Sequence, residues 1–311
     1  MPAPVAPAAP PASRMTLASV HKGTRPAPDR ILLYGTEGIG KSTFGANAPN
    51  PIFIAAEDGI RQLDVASFPE PKDWNEVIDA VRTLQTEPHG YKTVVFDTLD
   101  WIEPIICDHV CRENRWANIE APGYGKGWVP VANEWRRFLA ELDRLRASRQ
   151  TQIILLAHAQ IKPFINPAGT DYARYELKLQ KTSAALVKEW TDVNLFAIHE
   201  EVVTEVKGKS KGVSTGRRII HTTRTAAWDA KTRYGLPATM PLSWEDYSKH
   251  RSAGVVAPVA DLYAEAVALL DRVSEETRKV AAPYIEANKT KPTELTQTIN
   301  RLRVLADQKG E

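Results

Sequence analysis

Residues Gly35 to Ser42 read Gly-Thr-Glu-Gly-Ile-Gly-Lys-Ser, which meets G-x-x-x-x-G-K-[ST] at every fixed position. The apolar run Ile31-Leu32-Leu33-Tyr34 ahead of it reads as a buried strand, and a helix is expected from about Lys41. Strand, glycine loop and helix in this order make an anion cradle. Gly35, Gly38 and Gly40 let the backbone curl so that successive N–H groups turn inward, and the helix start adds the positive end of its dipole. Thr36, Glu37, Ile39 and Thr43 complete the set of residues expected around the phosphates. Lys41 is placed to reach the β and γ phosphates, and the Ser42 hydroxyl to hold Mg²⁺. The prediction is a site for a nucleoside triphosphate taken up with Mg²⁺.

Composition bounds the rest. A chain of 311 residues, 43% of them apolar, has material for one substantial core and a small appendage. The formal net charge is only +2, so contact with nucleic acid has to come from local basic surface rather than from the field of the whole molecule. Cys107 and Cys111 lie four apart with His109 between them, a spacing that could put both thiols on one helical face. Four zinc ligands are not in sight, and the pair reads as ordinary buried thiols of a reducing cytosol. No apolar run is long enough to span a bilayer, and the first residues lack the apolar centre of a secretory signal. A cytoplasmic protein with no membrane partner is expected.

Residues 1–28 are rich in proline and alanine, a composition that cannot build a core, and a disordered tail is expected there, with Met15 an alternative start. Beyond the loop, Pro51 to Glu57 reads as a second strand ending in an acid. Trp74 to Leu84 reads as a helix with Val77, Ile78, Val81 and Leu84 on one face, and Thr93 to Asp97 as an apolar strand ending in a carboxylate. Helical patterns cover about Trp101 to Trp116 and Val131 to Ala147, separated by a glycine-rich aromatic and basic loop at 123–128. Ile153 to Ala157 is a further buried strand, followed by His158-Ala159-Gln160, a polar loop from Lys162 to Glu176, a helix from about Leu177 to Trp190, and an apolar strand from Val193 to Ile198. Strands alternating with helices imply an α/β fold with a mostly parallel central sheet whose ligands sit at the carboxyl ends of the strands. Val202 to Lys207 and Arg217 to Thr222 are expected to form a β-hairpin with a basic, glycine-rich tip at 208–216. This main unit spans 29–250. Helical patterns at Asp261–Val273, Glu275–Asn288 and Thr293–Asp307 make a C-terminal helical region at 258–311, too small to be very stable alone and so expected to dock on the core or on a partner.

Asp97, at the end of its strand, is the expected second nucleotide motif, its carboxylate holding Mg²⁺ beside Ser42. Thr98 follows it where one large ATPase class keeps its catalytic glutamate, so the base that activates water comes from elsewhere. Glu57 is the first candidate because it ends the strand after the phosphate loop, with Asp58 and Asp100 behind it. On YGTEGIGKST, the acid in IAAEDG, VVFDTLD, LLAHAQIK and AKTRYGLP, the sequence resembles the RecA-like P-loop ATPases over about residues 30 to 245. Within them it is most similar to the phage-encoded RecA-like proteins of single-strand annealing and recombination. The resemblance implies Mg²⁺-dependent ATP hydrolysis and assembly into a ring or filament. It also implies single-stranded DNA as a partner, with single-strand-binding or other recombination proteins alongside, and the host cytoplasm as the location of a phage protein. In one place the sequence departs from the pattern. His158-Ala159-Gln160 stands where RecA and the helicases carry an adjacent polar pair ending in glutamine, which leaves His158 and Gln160 both as candidate sensors of the γ-phosphate.

Two further surfaces follow. Lys162, Phe164, Tyr172, Arg174, Tyr175, Lys178 and Lys181 interleave cations with aromatic rings, as phosphate tracking and base stacking require. RecA-like proteins place DNA-binding loops in the corresponding region. In Asp229-Ala-Lys-Thr-Arg-Tyr-Gly, Lys231 and Arg233 are alternate residues of an extended segment, able to face one target. The resemblance implies that this pair acts in catalysis across a subunit interface, on the γ-phosphate bound by the neighbour. Three functions compete: an ATP-dependent single-strand DNA binder that anneals or recombines strands, a hexameric helicase-like motor, and a regulatory ATPase acting only through protein partners. The motor is expected to carry an oligomerising domain ahead of its ATPase core, where this sequence has the proline-rich tail, and the first reading is preferred.

Overall fold

Apolar runs without polar alternation need cover on both faces, because each side chain then meets a helix layer whichever way it points. The structure, a computed structural model, describes residues 15–20, 22–23, 27–167, 169–206, 209–254 and 259–291, with 294–295, 298–299, 301–302 and 305. The expected tail at 1–28 lies largely outside the described residues; within it, Leu17–Ser19 form one 3-10 turn. The strands are β1 (Arg30–Gly35), β2 (Pro51–Ala55), β3 (Ala66–Ser67), β4 (Thr93–Asp97), β5 (Gln152–Phe164), β6 (Tyr172–Leu177), β7 (Val193–Val206), β8 (Lys209–His221), β9 (Lys231–Thr232) and β10 (Thr239–Pro241). The helices are α1 (Lys41–Ala46), α2 (Trp74–Thr86), α3 (Leu99–Asn114), α4 (Trp128–Arg149), α5 (Lys181–Trp190), α6 (Trp244–Gly254), α7 (Val259–Leu269) and α8 (Glu275–Ala287).

The sheet order is β10-β8-β7-β1-β5-β4-β2-β3, with β6 on β5 and β9 on β7. All pairs from β3 to β7 are parallel, and β8, β10, β6 and β9 add antiparallel ladders at the margins. Alternate residues of each central strand divide between two cores. Leu32, Phe96 and Leu155 pack with the apolar faces of α2, α3, α4 and α5, while Leu33, Val95 and Ile154 pack with α1 and α6. The first core is filled by large rings, with Trp74, Trp135 and Phe96 all edge-on to Phe138. Helix α2 starts where Asp73 accepts from the backbone N–H of Asn75 and Glu76, satisfying two groups the helix itself leaves open.

The structure departs from the expected elements at both hairpins and in the segment that follows them. The polar loop expected from Lys162 to Glu176 is a hairpin: β5 runs on to Phe164 and pairs with β6 from Ala159↔Leu177 to Phe164↔Tyr172. Aromatic and β-branched residues on both arms favour strand here over the polar composition of the tip. Helix α5 consequently starts at Lys181 rather than Leu177, with the Gln180 side chain accepting from the Thr182 N–H. The second hairpin is longer than expected, since β7 and β8 stay paired to Val206↔Lys209 and take up most of the tip placed at 208–216. The unexpected α6 follows β10 and buries Tyr247 in the second core.

Helices α7 and α8 match two of the three C-terminal patterns, and the third, at 293–307, lies in part outside the described residues; those described there are helical at 294–295, 298–299, 301–302 and 305. Leu262, Leu269, Ile285, Leu295, Ile299 and Leu302 bury against one another in a cluster separate from the sheet's two cores. Among the described residues, no helix is long and apolar enough to cross a membrane.

Candidate functional site

The parallel register brings the predicted chemistry to one end of the sheet. Gly35 is level with His158 on β5 and Ala197 on β7, and Asp97 is level with Ala55 at the end of β2. The loop from Gly35 to Lys41 needs glycine for two different reasons. At Gly35 a Cβ would fall 2.2 Å from the carbonyl oxygen of Ala197, so only glycine allows β1 and β7 to close up there. Gly40, with φ of 109°, is in a backbone region that side chains penalise, and it directly precedes α1.

Lys41 is buried inside the curl of the loop, its Nζ donating to the Thr36 carbonyl at 3.0 Å and pointing at that of Gly35. Burial pulls its pKa down, opposed by the negative charges of Asp97, Asp100, Glu57 and Glu37. Asp97 is 1% exposed, and among the described residues neither of its carboxylate oxygens meets a hydrogen-bond donor at bonding geometry. Burial pushes its carboxyl up, and the nearby charge of Glu57 adds to this, against the Ser42 hydroxyl and Lys41. A buried carboxylate without donors is the kind of orphan that a cation satisfies. The peptide after it, Asp97–Thr98, is cis. Thr98 donates its hydroxyl to Glu57 Oε1 at 3.2 Å, which ties Glu57 to the Asp97 strand end.

Asp100, one of the lesser base candidates, has a different engagement. Its two oxygens take the backbone N–H of His158 at 2.9 Å and the ring Nδ1 at 2.8 Å. Its carboxyl lies below the usual range although burial alone would raise it, because the bonds to His158 favour the charged form. His158 is thus oriented by the residue three past the end of β4, while the Gln160 amide donates to the Leu177 carbonyl across the β5–β6 hairpin at 2.8 Å. The Asp100 partnership was readable as an acid three residues past Asp97, but its target, 58 residues on, is set by strand register.

The predicted DNA-binding residues fall into two groups. Lys162, Phe164, Tyr172 and Arg174 are opposed in the β5–β6 ladder and so share a face, with the Phe164 and Tyr172 rings 5.1 Å apart. Arg174 departs from the expectation of a strand-contacting cation. It is 4% exposed, covered by the Phe164 ring at 5.2 Å and paired with Asp229 at 3.5 Å, so its charge is spent inside the fold. Tyr175, on the opposite face, packs on Phe196 at 5.0 Å. Lys178 and Lys181 are exposed at the hairpin's exit, where the Lys178 N–H donates to the His158 carbonyl.

Lys231 and Arg233 lie at the other end of the sheet. Lys231 is level with Asn194 near the start of β7, and its Nζ donates to the carbonyls of Lys188 and Glu189 at the end of α5. Arg233 pairs with Asp192 at 2.9 Å, on a carboxylate that Arg30 also holds at 2.8 Å. Arg30 to Gly35 is five residues of strand, roughly 16 Å, so the pair is remote from the phosphate loop of its own chain. Cys107 and Cys111 are free thiols on α3, and burial pushes Cys107 up to about 12.

Comparison with known proteins adds three findings. No curated protein sequence matches the chain. Among solved structures, the RadB recombinase aligns with a TM-score of 0.37 at 14% identity, over 63% of this chain and 80% of that one. A family model described as AAA domain matches residues 27–234, more than half of the chain. The protein therefore belongs to that AAA domain family, and its fold is α/β with a mostly parallel central sheet.

Proposed function

We propose that this chain binds and hydrolyses ATP with Mg²⁺ and uses the cycle to act on single-stranded DNA, in the manner of a phage-type annealing or recombination protein. The observation that carries the reading is Asp97, buried at the carboxyl end of β4 with Ser42 and Lys41 beside it and, among the described residues, no donor at bonding geometry. Ser42 and Asp97 would hold Mg²⁺, which when bound neutralises charge on the β and γ phosphates. Lys41 leaves the loop carbonyls for the β and γ phosphates. Glu57, held at Thr98, takes a proton from the attacking water. Asp100 fixes the His158 ring through Nδ1, which leaves Nε2 as the atom that meets the γ-phosphate. His158 and Gln160 then sit on one strand with the hairpin between site and DNA, so both remain in the reading as sensors. Lys162, Phe164, Tyr172, Lys178 and Lys181 supply the DNA surface, with Tyr175 braced behind them.

The ATPase unit is placed at residues 29–250, with the C-terminal helices at 258–311 apart from it. The test is steady-state hydrolysis with and without Mg²⁺ and single-stranded DNA, alongside titration of labelled DNA at several salt concentrations. Wild type should hydrolyse ATP only with Mg²⁺. Glu57→Gln should bind nucleotide and turn it over about 10² to 10⁴ times more slowly. Failure of the wild type to bind ATP would overturn the reading. ATP binding without any DNA binding at low salt would leave the ATPase acting through protein partners.

A further inference from the structure

Arg218 stands beside the phosphate loop, on a strand from which no site residue is expected. In the β7–β8 ladder Ile220 is opposite Ala197, which is itself level with Gly35, and Arg218 is opposite His199, two residues further toward the carboxyl end. The guanidinium reaches the loop: a Cβ built on Gly40 would lie 3.1 Å from Arg218 Nη1 and 3.7 Å from the Leu242 side chain. The backbone behind it is braced, since the Arg218 carbonyl accepts from the Leu242 N–H at 2.9 Å. Among the described residues the guanidinium has no hydrogen bond or ion pair. Its neighbour Arg217 is held by Glu200 at 2.6 Å.

The sheet order gives this cation a direction. Glu57 follows β2, Asp97 ends β4 and His158 lies within β5, all on one side of β1, whereas β8 lies on the other side beyond β7. A triphosphate whose γ end faces those three groups has its α and β phosphates toward β8. The loop amides around Gly40 cradle that part of the nucleotide. A cavity of about 380 Å³ on the same side is lined by Thr43 of α1, by Asn47 just beyond it, and by Leu242 and Trp244.

We propose that Arg218 is a phosphate-binding residue acting within its own chain, its planar fork taking the α and β phosphates while Lys41 takes the β and γ. The assignment rests on the nucleotide reading above. It is tested by titrating fluorescent ATP and ADP analogues into the full chain and into Arg218→Ala, Arg218→Lys, Arg218→Gln and Lys41→Ala. Arg218→Ala should weaken ATP and ADP by the same factor, about 10- to 100-fold, the worth of a hydrogen-bonded charge. Arg218→Lys should regain part of the loss, and Lys41→Ala should hurt ATP more than ADP. Thermal melts check each fold, and Arg218→Gln, which keeps the length of the side chain without its charge, decides the matter where the alanine variant is unstable. Unchanged affinity in a folded Arg218→Ala or Arg218→Gln protein overturns the assignment while the nucleotide reading stands. So does a loss confined to ATP. A wild-type protein that binds neither nucleotide refutes the nucleotide reading, and the assignment with it.

Discussion

Asp97 carries a buried charge that the Ser42 hydroxyl and Lys41 balance only in part. Its carboxyl is raised by burial, and a group raised on folding binds its proton more tightly in the folded state than in the unfolded one. The cost of ionising it is absent below the ordinary carboxylate range, where both states are protonated, and is fully developed once the pH passes the folded-state value. Asp97→Asn removes that cost. In nucleotide-free protein the variant should melt higher than wild type at pH 7, by roughly 2 °C for each ~1 kcal/mol recovered in a domain of this size. The gap should close toward about pH 4, and Mg²⁺-dependent hydrolysis should collapse at the same time. Melting curves at several pH values beside hydrolysis rates check this, and a variant no more stable than wild type at pH 7 would count against a charge kept for function. The motif made Asp97, Lys41 and Ser42 legible in the sequence, because their spacing is local to one loop and one strand end. The bond from Asp100 to His158 and the approach of Arg218 to Gly40 were not, since both depend on which strands lie side by side.

Hairpin β5–β6 shows the same division between local pattern and long-range contact. Its residues have the alternation of rings and cations that suggested a DNA surface, yet Pro163, Asn166, Pro167, Gly169 and Asp171 read as a loop. What makes it a hairpin is the ladder to Leu177, the Gln160 amide on the Leu177 carbonyl and the packing of Tyr175 on Phe196. The central strands needed no such help, because apolar runs of that length announce themselves. The hairpin's two kinds of residue should separate on mutation. Phe164→Ala with Tyr172→Ala should lower single-strand DNA affinity by at least about tenfold, at ~1–3 kcal/mol per stacked base, with the melting temperature little changed. Arg174→Ala should instead cost about 2 kcal/mol or more of stability, since it strips a buried partner from Asp229 and uncovers Phe164. Titration of labelled DNA at two salt concentrations, with melts of the same proteins, distinguishes the two. The reverse pattern, a stable Arg174→Ala protein that loses DNA, would return that arginine to the DNA surface.

At the scale of the whole molecule, the two ends of the sheet differ in kind. One end holds the phosphate loop beside the buried Asp97 carboxylate, and the other holds Lys231 and Arg233, which in the single chain cap α5 and steady Asp192. A contact that joins such unlike ends is head-to-tail, and repeated head-to-tail contacts make a ring when the rotation closes and a filament when it does not. In the arrangement we propose, each phosphate loop would face the neighbour's Lys231 and Arg233, whose charge would add on assembly to that of Lys41 at the γ-phosphate. Arg233 is half-exposed and shares Asp192 with Arg30, so it can leave without stranding a buried charge. Fingers of this sort are worth about 10³ or more in rate. A Lys231→Ala/Arg233→Ala protein and a Lys41→Ala protein should each be inactive alone. Mixed, they form some interfaces with an intact loop on one side and intact cations on the other, and part of the hydrolysis should return. Co-assembly has to be followed in the same samples, by light scattering or by a label on one variant. Mixed assemblies that form and remain inactive would leave Lys231 and Arg233 as internal supports of α5 and β7, and the charge that completes hydrolysis would have to come from within the chain.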